Sequence, residues 1–225
     1  MKMPKILRLS LAAAILTAGT GFAAAETVML HYAGPGSTLT TQVTLPTGTH
    51  NYIVGNYRLE PSGPAQSFLA FCVDPFQWAS GSDRSYDKSS LASFLSGSTT
   101  KLAEVTALFG HAYAGTIGNA TKAAGFQLAL WEVFNDNQDL SSGVVRTTGL
   151  TNKGAADEAD RLLDALSGWT STPGTAYQLT MYSNASHQDF LAATPVPEPE
   201  TVALLLGGLA LLGVATRRRA GRHAA

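Results

Sequence analysis

Residues 67–73 read SFLAFCV, and this short segment is the clearest strand signal in the chain. Successive side chains of a β-strand point to opposite faces of the sheet, and here both alternating sets are apolar. A strand that is apolar on both faces is covered on both faces. The segment therefore predicts an interior strand, and it places Cys72, the single cysteine of the 225-residue chain, inside the protein.

More strands are predicted on the N-terminal side of this segment. Residues 27–32, 41–46 and 51–60 are rich in β-branched and aromatic side chains, and turns that contain Gly and Pro separate them. The order of these segments predicts a sheet that is built from consecutive strands.

The periodicity of the apolar residues changes after residue 87. They recur every three to four positions as far as residue 134, which predicts helices with Asp87 and either Asn119 or Thr121 as N-caps. A fourth helix is predicted over 155–169, and a last strand over 176–182. We therefore expect one α+β domain over 26–194, a β-sandwich or barrel with a helical insertion.

The charge of this domain excludes one class of function. Residues 26–194 contain eight Lys and Arg residues against 14 Asp and Glu residues. An acidic domain has no general attraction to phosphate backbones, so binding to nucleic acid is not expected.

Residues 1–25 have the three parts of a secretory signal peptide. Lys2, Lys5 and Arg8 precede an apolar run over 9–17, and small residues lead up to residue 26. The run is too short to span a bilayer. We expect signal peptidase to remove this segment and the domain to lie outside the cytoplasm.

Residues 195–225 combine a Pro-Glu-Pro triplet, an apolar run over 201–216 and a closing arginine cluster. Sixteen helical residues extend roughly 24 Å, against roughly 30 Å of hydrocarbon core, so this predicted transmembrane helix is short. Arginines that follow such a helix stay on the cytoplasmic side. The residues that define the tail are Pro197, Glu198, Pro199, Arg217, Arg218 and Arg219.

This order of triplet, apolar helix and basic end resembles the PEP-CTERM sorting signal of bacterial exported proteins. In that family an exosortase, which is a membrane cysteine protease, removes the tail and releases or transfers the protein to the cell surface. The family occurs mainly in Gram-negative bacteria that make exopolysaccharide. The resemblance implies anchoring in the inner membrane before processing, and a location at the cell surface or in the biofilm matrix afterwards.

Gln127 breaks the pattern of the helix that contains it. It shares a stripe with Leu130, Trp131 and Phe134, so its amide is directed inward, where an unpaired amide costs roughly 1–3 kcal/mol. Backbone groups can satisfy such an amide, and Cys72 can be a small buried hydrophobe. The alternative joins the two residues: the sulfur attacks the amide carbonyl, ammonia leaves, and burial protects the resulting thioester from water.

The surroundings of this pair resemble the thioester domains of bacterial surface adhesins. Those domains carry an aromatic-Cys-aliphatic-Asp motif on a strand and a Gln-x-Ala-aliphatic-Trp motif on a later helix; here the segments are 71–74 (FCVD) and 127–131 (QLALW). The resemblance implies a thioester between Cys72 and Gln127, with Asp74 and Trp131 in supporting roles.

Two features depart from that family. Phe126 stands where the family usually has Thr, and the 55-residue separation of cysteine and glutamine is shorter than in full-sized adhesin domains.

Other chemistry has weaker support in the sequence. His31, His50, His111 and His187 are scattered without the spacing of metal ligands, so no metal or cofactor is expected. A cysteine hydrolase that uses Cys72 and His111 lacks the cationic or helix N-terminal surroundings of a reactive thiolate. We therefore expect no enzymatic activity.

The expected function is covalent adhesion or attachment of an exported surface or matrix protein. The partners that this function implies are an exosortase, signal peptidase and an amine or hydroxyl of a protein or polysaccharide target. The alternative is a non-reactive structural or binding protein of the extracellular polysaccharide matrix.

Overall fold

The computed structural model describes residues 26–147, 152–170 and 174–196, together with residues 204 and 207–209. The strands are β1 (Glu26–Leu45), β2 (Gly48–Pro61), β3 (Phe68–Cys72), β4 (Arg84–Ser90), β5 (Tyr177–Ser183) and β6 (Phe190–Pro195). The helices are α1 (Leu91–Phe94), α2 (Thr99–Ala112), α3 (Ala120–Asn135) and α4 (Lys153–Trp169), with a 3-10 turn over Tyr113–Thr116.

The six strands form an antiparallel sheet that closes into a barrel in the order β1, β2, β3, β6, β5, β4. Pairing of β4 with β1 completes the ring. Helices α1 to α4 lie between β4 and β5 in the chain, as a helical insertion. The mixed α and β architecture predicted from the sequence is thus confirmed, in its barrel form.

The first two predicted strands are one strand in the structure. β1 runs through the Gly34-Pro35-Gly36 segment, which predicted a turn, and accommodates it by register shifts in its pairing with β2. Gly55, opposite this irregularity, has a φ of +133°, and a side chain there would overlap the Ser37 carbonyl. Bulges of this kind bend a long hairpin, which is what closure of a small barrel requires.

The helical start predicted at Asp87 is wrong, because this residue lies in strand β4. Tyr86 is the one buried side chain of β4, so the segment lacks an alternating apolar pattern that would identify it as a strand. Its conformation depends on pairing with β1 and β5. The first helix begins later, at α1, where the Ser90 hydroxyl accepts a hydrogen bond from the backbone N–H of Ser93.

β6 was not expected from the sequence, where residues 183–194 were a polar connection to the tail. In the structure it lies between β3 and β5, and its first three residues are buried. A six-residue strand next to a Pro-rich segment is a weak local signal. β6 is nevertheless the strand that covers the free edge of β3, and so it borders the site described below.

α3 is the central helix of the domain and is buried on nearly every side. It packs against β1 and β2 of the barrel on one side and against α4 on the other. Gly125 permits the close contact with α4, because a Cβ at this position would lie 2.6 Å from the Glu158 Cβ. The predicted N-cap Asn119 is confirmed: its side chain accepts from the backbone N–H of Lys122 at 3.0 Å.

The two targeting segments contribute little to the described structure. The predicted signal peptide, 1–25, lies outside the described residues, as do Pro197, Glu198, Pro199 and the arginines at 217–219. Of the apolar run over 201–216, residues 204 and 207–209 are described, and they are helical. Within the described part of the chain, no helix has the length and apolar character that crossing a membrane requires.

Candidate functional site

Cys72 is the last residue of β3 and lies where the barrel meets the helical layer. Its strand pairs with β2 on one side and with β6 on the other, where Cys72 is opposite Phe190. The side chain is fully buried and is not part of a disulfide. The prediction of an interior strand over this segment agrees with this position.

Gln127 projects from α3 onto the end of β3 and is also fully buried. Its amide makes two reciprocal hydrogen bonds with the backbone of one residue. The Cys72 N–H donates to Oε1 at 3.0 Å, and Nε2 donates to the Cys72 carbonyl at 2.6 Å. The structure therefore brings the two residues of the predicted pair together and fixes the amide beside the cysteine.

Burial dominates the chemistry of the Cys72 thiol. It raises the pKa of the thiol well above its ordinary value, and the charges of Asp74 and Asp189 add to this effect. The Trp131 indole N–H lies beside the sulfur and acts in the opposite direction, because it would stabilise an ionised sulfur, although its effect is weaker than that of burial. The thiol is neutral at physiological pH, which differs from the ionised sulfur of a cysteine hydrolase.

Trp131 provides an uncommitted donor beside this sulfur. Its side chain is fully buried, and among the described residues Nε1 has no hydrogen-bond partner. An indole N–H usually has a partner when it is buried. It is therefore available to stabilise negative charge that develops on the sulfur.

Asp74 shapes the turn that follows β3. Its carboxylate accepts from the backbone N–H of Phe76 at 2.9 Å. Its backbone carbonyl accepts from the Cys72 thiol at 3.1 Å and from Nε2 of Gln188 at 3.4 Å. The residue contacts the cysteine through its backbone rather than through its carboxylate.

One face of α3 lies against the end of β3. Gln127, Trp131 and Asn135 are four residues apart and therefore face the same direction. Asn135, which sequence reasoning missed, donates from Nδ2 to the Val73 carbonyl at 2.9 Å. Together these three side chains contact the backbone or sulfur of two successive residues of the β3 end.

Aromatic packing holds the same two segments together. Phe71 and Phe126 directly precede Cys72 and Gln127, and their rings lie 4.5 Å apart. Phe109 of α2 contacts both rings, at 6.3 and 5.0 Å. Phe126 is thus part of the apolar core.

Asp189 and Gln188 are further residues beside Cys72 that the sequence did not identify. The pKa of Asp189 is raised to about 6, mainly by burial and to a smaller extent by the charge of Asp74. Both residues directly precede β6, and they were missed because that strand was not expected. The apolar run at 190–192 is the signal that could have identified them.

The remaining candidate residues lie apart from this site. The His111 ring stacks on Trp169 at 4.9 Å, and His31 contacts Asp83 at 2.7 Å. Within residues 26–147, 152–170 and 174–196, no group of three or more His, Cys, Asp or Glu side chains is placed to hold a metal ion.

Comparison with known proteins identifies the C-terminal tail. The PEP-CTERM protein-sorting motif matches residues 195–219, which confirms the resemblance seen in the sequence. The motif supports export of the chain and its processing by an exosortase. No curated protein matches the chain.

Solved structures that resemble this chain include thioester domains of surface proteins. One is the N-terminal thioester domain of a surface protein from Clostridium perfringens, at 14% identity and a TM-score of 0.43, over 63% of this chain and 89% of that one. A cysteine-to-alanine mutant of that domain matches with the same values. Another is the N-terminal domain of the Streptococcus pyogenes pilus tip adhesin Cpa, at 14% identity and a TM-score of 0.43, over 74% of this chain and 98% of that one.

Proposed function

We propose that this chain is an exported surface protein that attaches covalently to a target through an internal thioester between Cys72 and Gln127. The observation that carries the proposal is the pair of reciprocal hydrogen bonds between the Gln127 amide and the Cys72 backbone, inside a fully buried site. These bonds hold the amide carbon next to the residue whose sulfur would attack it.

Formation of the bond balances without a co-reactant. The Cys72 sulfur adds to Cδ of Gln127, the Cδ–Nε2 bond breaks, and the thiol proton leaves with the amine as ammonia. The Cys72 N–H lies at the carbonyl oxygen, where negative charge develops during the addition, and a fixed donor at that position stabilises such a charge.

Reaction with a target breaks the thioester and restores the Cys72 thiol. A nucleophile bonds to Cδ of Gln127, the Cδ–Sγ bond breaks, and the proton of the nucleophile passes to Cys72. The Trp131 N–H is available to stabilise the departing sulfur. Each molecule reacts once and remains joined to its target, so we propose a stoichiometric attachment and no enzymatic turnover.

The second candidate is a non-reactive structural or binding protein of the extracellular matrix. The observation that favours it is that the Cys72 backbone satisfies both polar atoms of the Gln127 amide. A buried glutamine with a purely structural role needs the same two bonds. Mass measurement separates the two candidates because only the reactive protein loses ammonia.

We expect the intact mass of the purified chain to be lower than the mass of its sequence by one ammonia. Incubation with methylamine should then add one methylamine, and peptide mapping should place it on Gln127. Cys72→Ala should have the full mass of its sequence and should not react with methylamine. The substitution removes only a sulfur atom from the core, so the folded state should persist.

Gln188 is the internal control for labelling, since it is a second buried glutamine nearby, whose amide donates to the Asp74 carbonyl instead of pairing with the Cys72 backbone. Methylamine on Gln188, or an unreduced mass together with a thiol that titrates as one free cysteine, would contradict the thioester and favour the structural role.

The targeting segments complete the proposal. We propose that signal peptidase removes residues 1–25 and that an exosortase acts on the tail at 195–219. The domain over 26–194 would be anchored in the inner membrane before that step, and exposed on the cell surface or in the matrix after it. Fractionation of cells with and without the exosortase tests this order, because loss of the protease should retain the full tail on the protein.

A further inference from the structure

An aromatic recess of about 260 Å³ opens next to the Cys72 site. We use the name aromatic recess for the space that is bordered by Tyr32, Asn51, Tyr52, Tyr57, Trp78 and Gln188. Trp78 stands at its mouth with 68% of its surface exposed. Ile53, which lines the same recess, is 48% exposed, and contiguous exposed apolar surface of this kind is typical of a binding site.

The aromatic recess is separated from the sulfur by one layer of side chains. The Tyr52 ring is parallel to the Trp78 ring at 5.5 Å and meets the edge of the Trp131 ring at 6.1 Å. Gln188 lines the recess and donates to the Asp74 carbonyl, which also accepts from the Cys72 thiol. Movement of Tyr52 or Gln188 would therefore connect the recess with the site.

A second recess of about 500 Å³ also borders Trp78. Its border includes Phe76, which is 49% exposed, together with Ser186 and His187. The two recesses share Trp78 and its neighbour Ala79. The exposed indole is thus positioned between two spaces, as it would be for a chain molecule that passes across it.

The borders of both recesses favour a neutral ligand that is rich in hydroxyl groups. Among the described residues that line them there is no carboxylate that could pair with a lysine ammonium. Arg84 instead donates to His187 at 3.2 Å and places a cation behind the second recess. Flat aromatic faces pack on the C–H face of a sugar ring, while the amides of Asn51 and Gln188 can bond its hydroxyls.

The size of the aromatic recess fits one ring. Pockets for drug-sized ligands occupy about 300–1,000 Å³, and this recess lies just below that range. We propose that it binds one sugar ring of a neutral polysaccharide and presents a ring hydroxyl to the thioester, an inference that rests on the proposed function. In the step that follows, the hydroxyl oxygen bonds to Cδ of Gln127, the Cδ–Sγ bond breaks, and the hydroxyl proton passes to Cys72, which leaves an ester.

Binding can be tested without the thioester. The full chain with Cys72→Ala is titrated calorimetrically with three neutral hexasaccharides, which are cellohexaose, maltohexaose and hexa-N-acetylchitohexaose. We expect at least one of them to bind, and Trp78→Ala to weaken that binding about tenfold. The matched control is Phe94→Ala, which removes an exposed aromatic ring of α1 that borders neither recess and should leave binding unchanged.

Three results would overturn the inference. They are no binding of any of the three hexasaccharides, equal weakening by Trp78→Ala and Phe94→Ala, and binding of Nα-acetyl-lysine methylamide that depends on Trp78. The last result would assign the recess to a protein amine.

The failure of the inference and the failure of the proposed function have different signatures. If the wild-type chain keeps its ammonia while the Cys72→Ala chain binds sugar through Trp78, the recess is a sugar site and the thioester fails. If methylamine labels Gln127 but sugar binding is absent, the thioester stands and the sugar assignment fails. With both intact, the wild-type chain should gain the mass of the bound hexasaccharide on Gln127, and Trp78→Ala should slow that gain about tenfold.

Discussion

Two buried polar side chains of α3 differ in how the surrounding structure holds them. Gln127 and Glu132 are both fully buried, five residues apart on one helix. The Gln127 amide faces the end of β3, and both of its polar atoms have partners. The Glu132 carboxyl faces the segment after α3, where Oε2 accepts from the Asp139 N–H at 3.1 Å, while Oε1 has no partner within the described residues.

Gln127 and Glu132 also differ in whether their charge changes with pH. The amide is neutral at every pH, so the strand side of α3 is held by the same bonds throughout. The pKa of Glu132 is raised to about 7, mainly by burial and to a smaller extent by the negative charge of Asp136. The two faces of one helix thus combine a permanent contact at the proposed reactive site with a contact that depends on protonation.

The largest expected effect comes from breaking the proposed thioester. The bond would close a chain segment of 55 residues between Cys72 and Gln127. By analogy with disulfides, a cross-link of this span stabilises the folded state by about 4 kcal/mol, because it restricts the unfolded chain. Methylamine treatment should therefore lower the free energy of unfolding by about this amount, measured by urea denaturation. Cys72→Ala should show no change with methylamine, and a similar loss in that variant would refute the cross-link.

The second-largest expected effect concerns Glu132, on the other face of α3. The folded-state pKa of Glu132 lies above its ordinary value of 4.5, so the folded state retains a proton that the unfolded chain releases. Stability from this group is present below about pH 4.5 and is lost as pH rises to about 7. Glu132→Gln should remove this loss, which we expect to amount to roughly 2 kcal/mol between pH 5 and pH 8.

Urea denaturation at the two pH values measures that difference. Asp189, whose pKa is raised to about 6, contributes in the same direction and remains in the variant, so the comparison isolates Glu132. The control is Asp164→Asn, which removes an exposed carboxylate of α4. If the free energy of unfolding changes equally between pH 5 and pH 8 in the wild-type chain and in Glu132→Gln, the contact made by Glu132 does not depend on protonation.

The smallest effect sharpens the contrast between the two faces. Asn135→Ala removes the hydrogen bond from α3 to the Val73 carbonyl and should cost about 1 kcal/mol. Asn119→Ala removes the N-cap of the same helix at a similar cost. Only Asn135→Ala should raise the rate at which methylamine reacts with Gln127. Of the two asparagines, only Asn135 bonds α3 to the segment beside Cys72. Equal rates in the two variants would contradict that role.

The contact between β3 and α3 could be predicted because its signals are local. An apolar strand, an apolar helix and one amide on the apolar stripe are readable from single segments, and they identified both Cys72 and Gln127. The surrounding residues could not be found in this way. β4 is polar and β6 is short, and both depend on partners that are distant in sequence.

Because β6 was not predicted, Gln188 and Asp189 were absent from the predicted site. Both precede a strand whose position beside β3 is decided by barrel closure rather than by local pattern. The recess at Trp78 was missed for a related reason. It forms where the turn after β3 meets residues of β2 and the segment before β6.

The position of β6 also determines how mechanical tension would enter the domain. The strand ends at Pro195, which is the first residue of the sorting motif. If the processed C-terminal end were held at the cell surface, tension would pull β6 along its own length, between its antiparallel neighbours β3 and β5. Such a pull loads the hydrogen bonds of both ladders together, in shear, rather than opening them one after another. The strand that borders Cys72 would carry the load between surface and target.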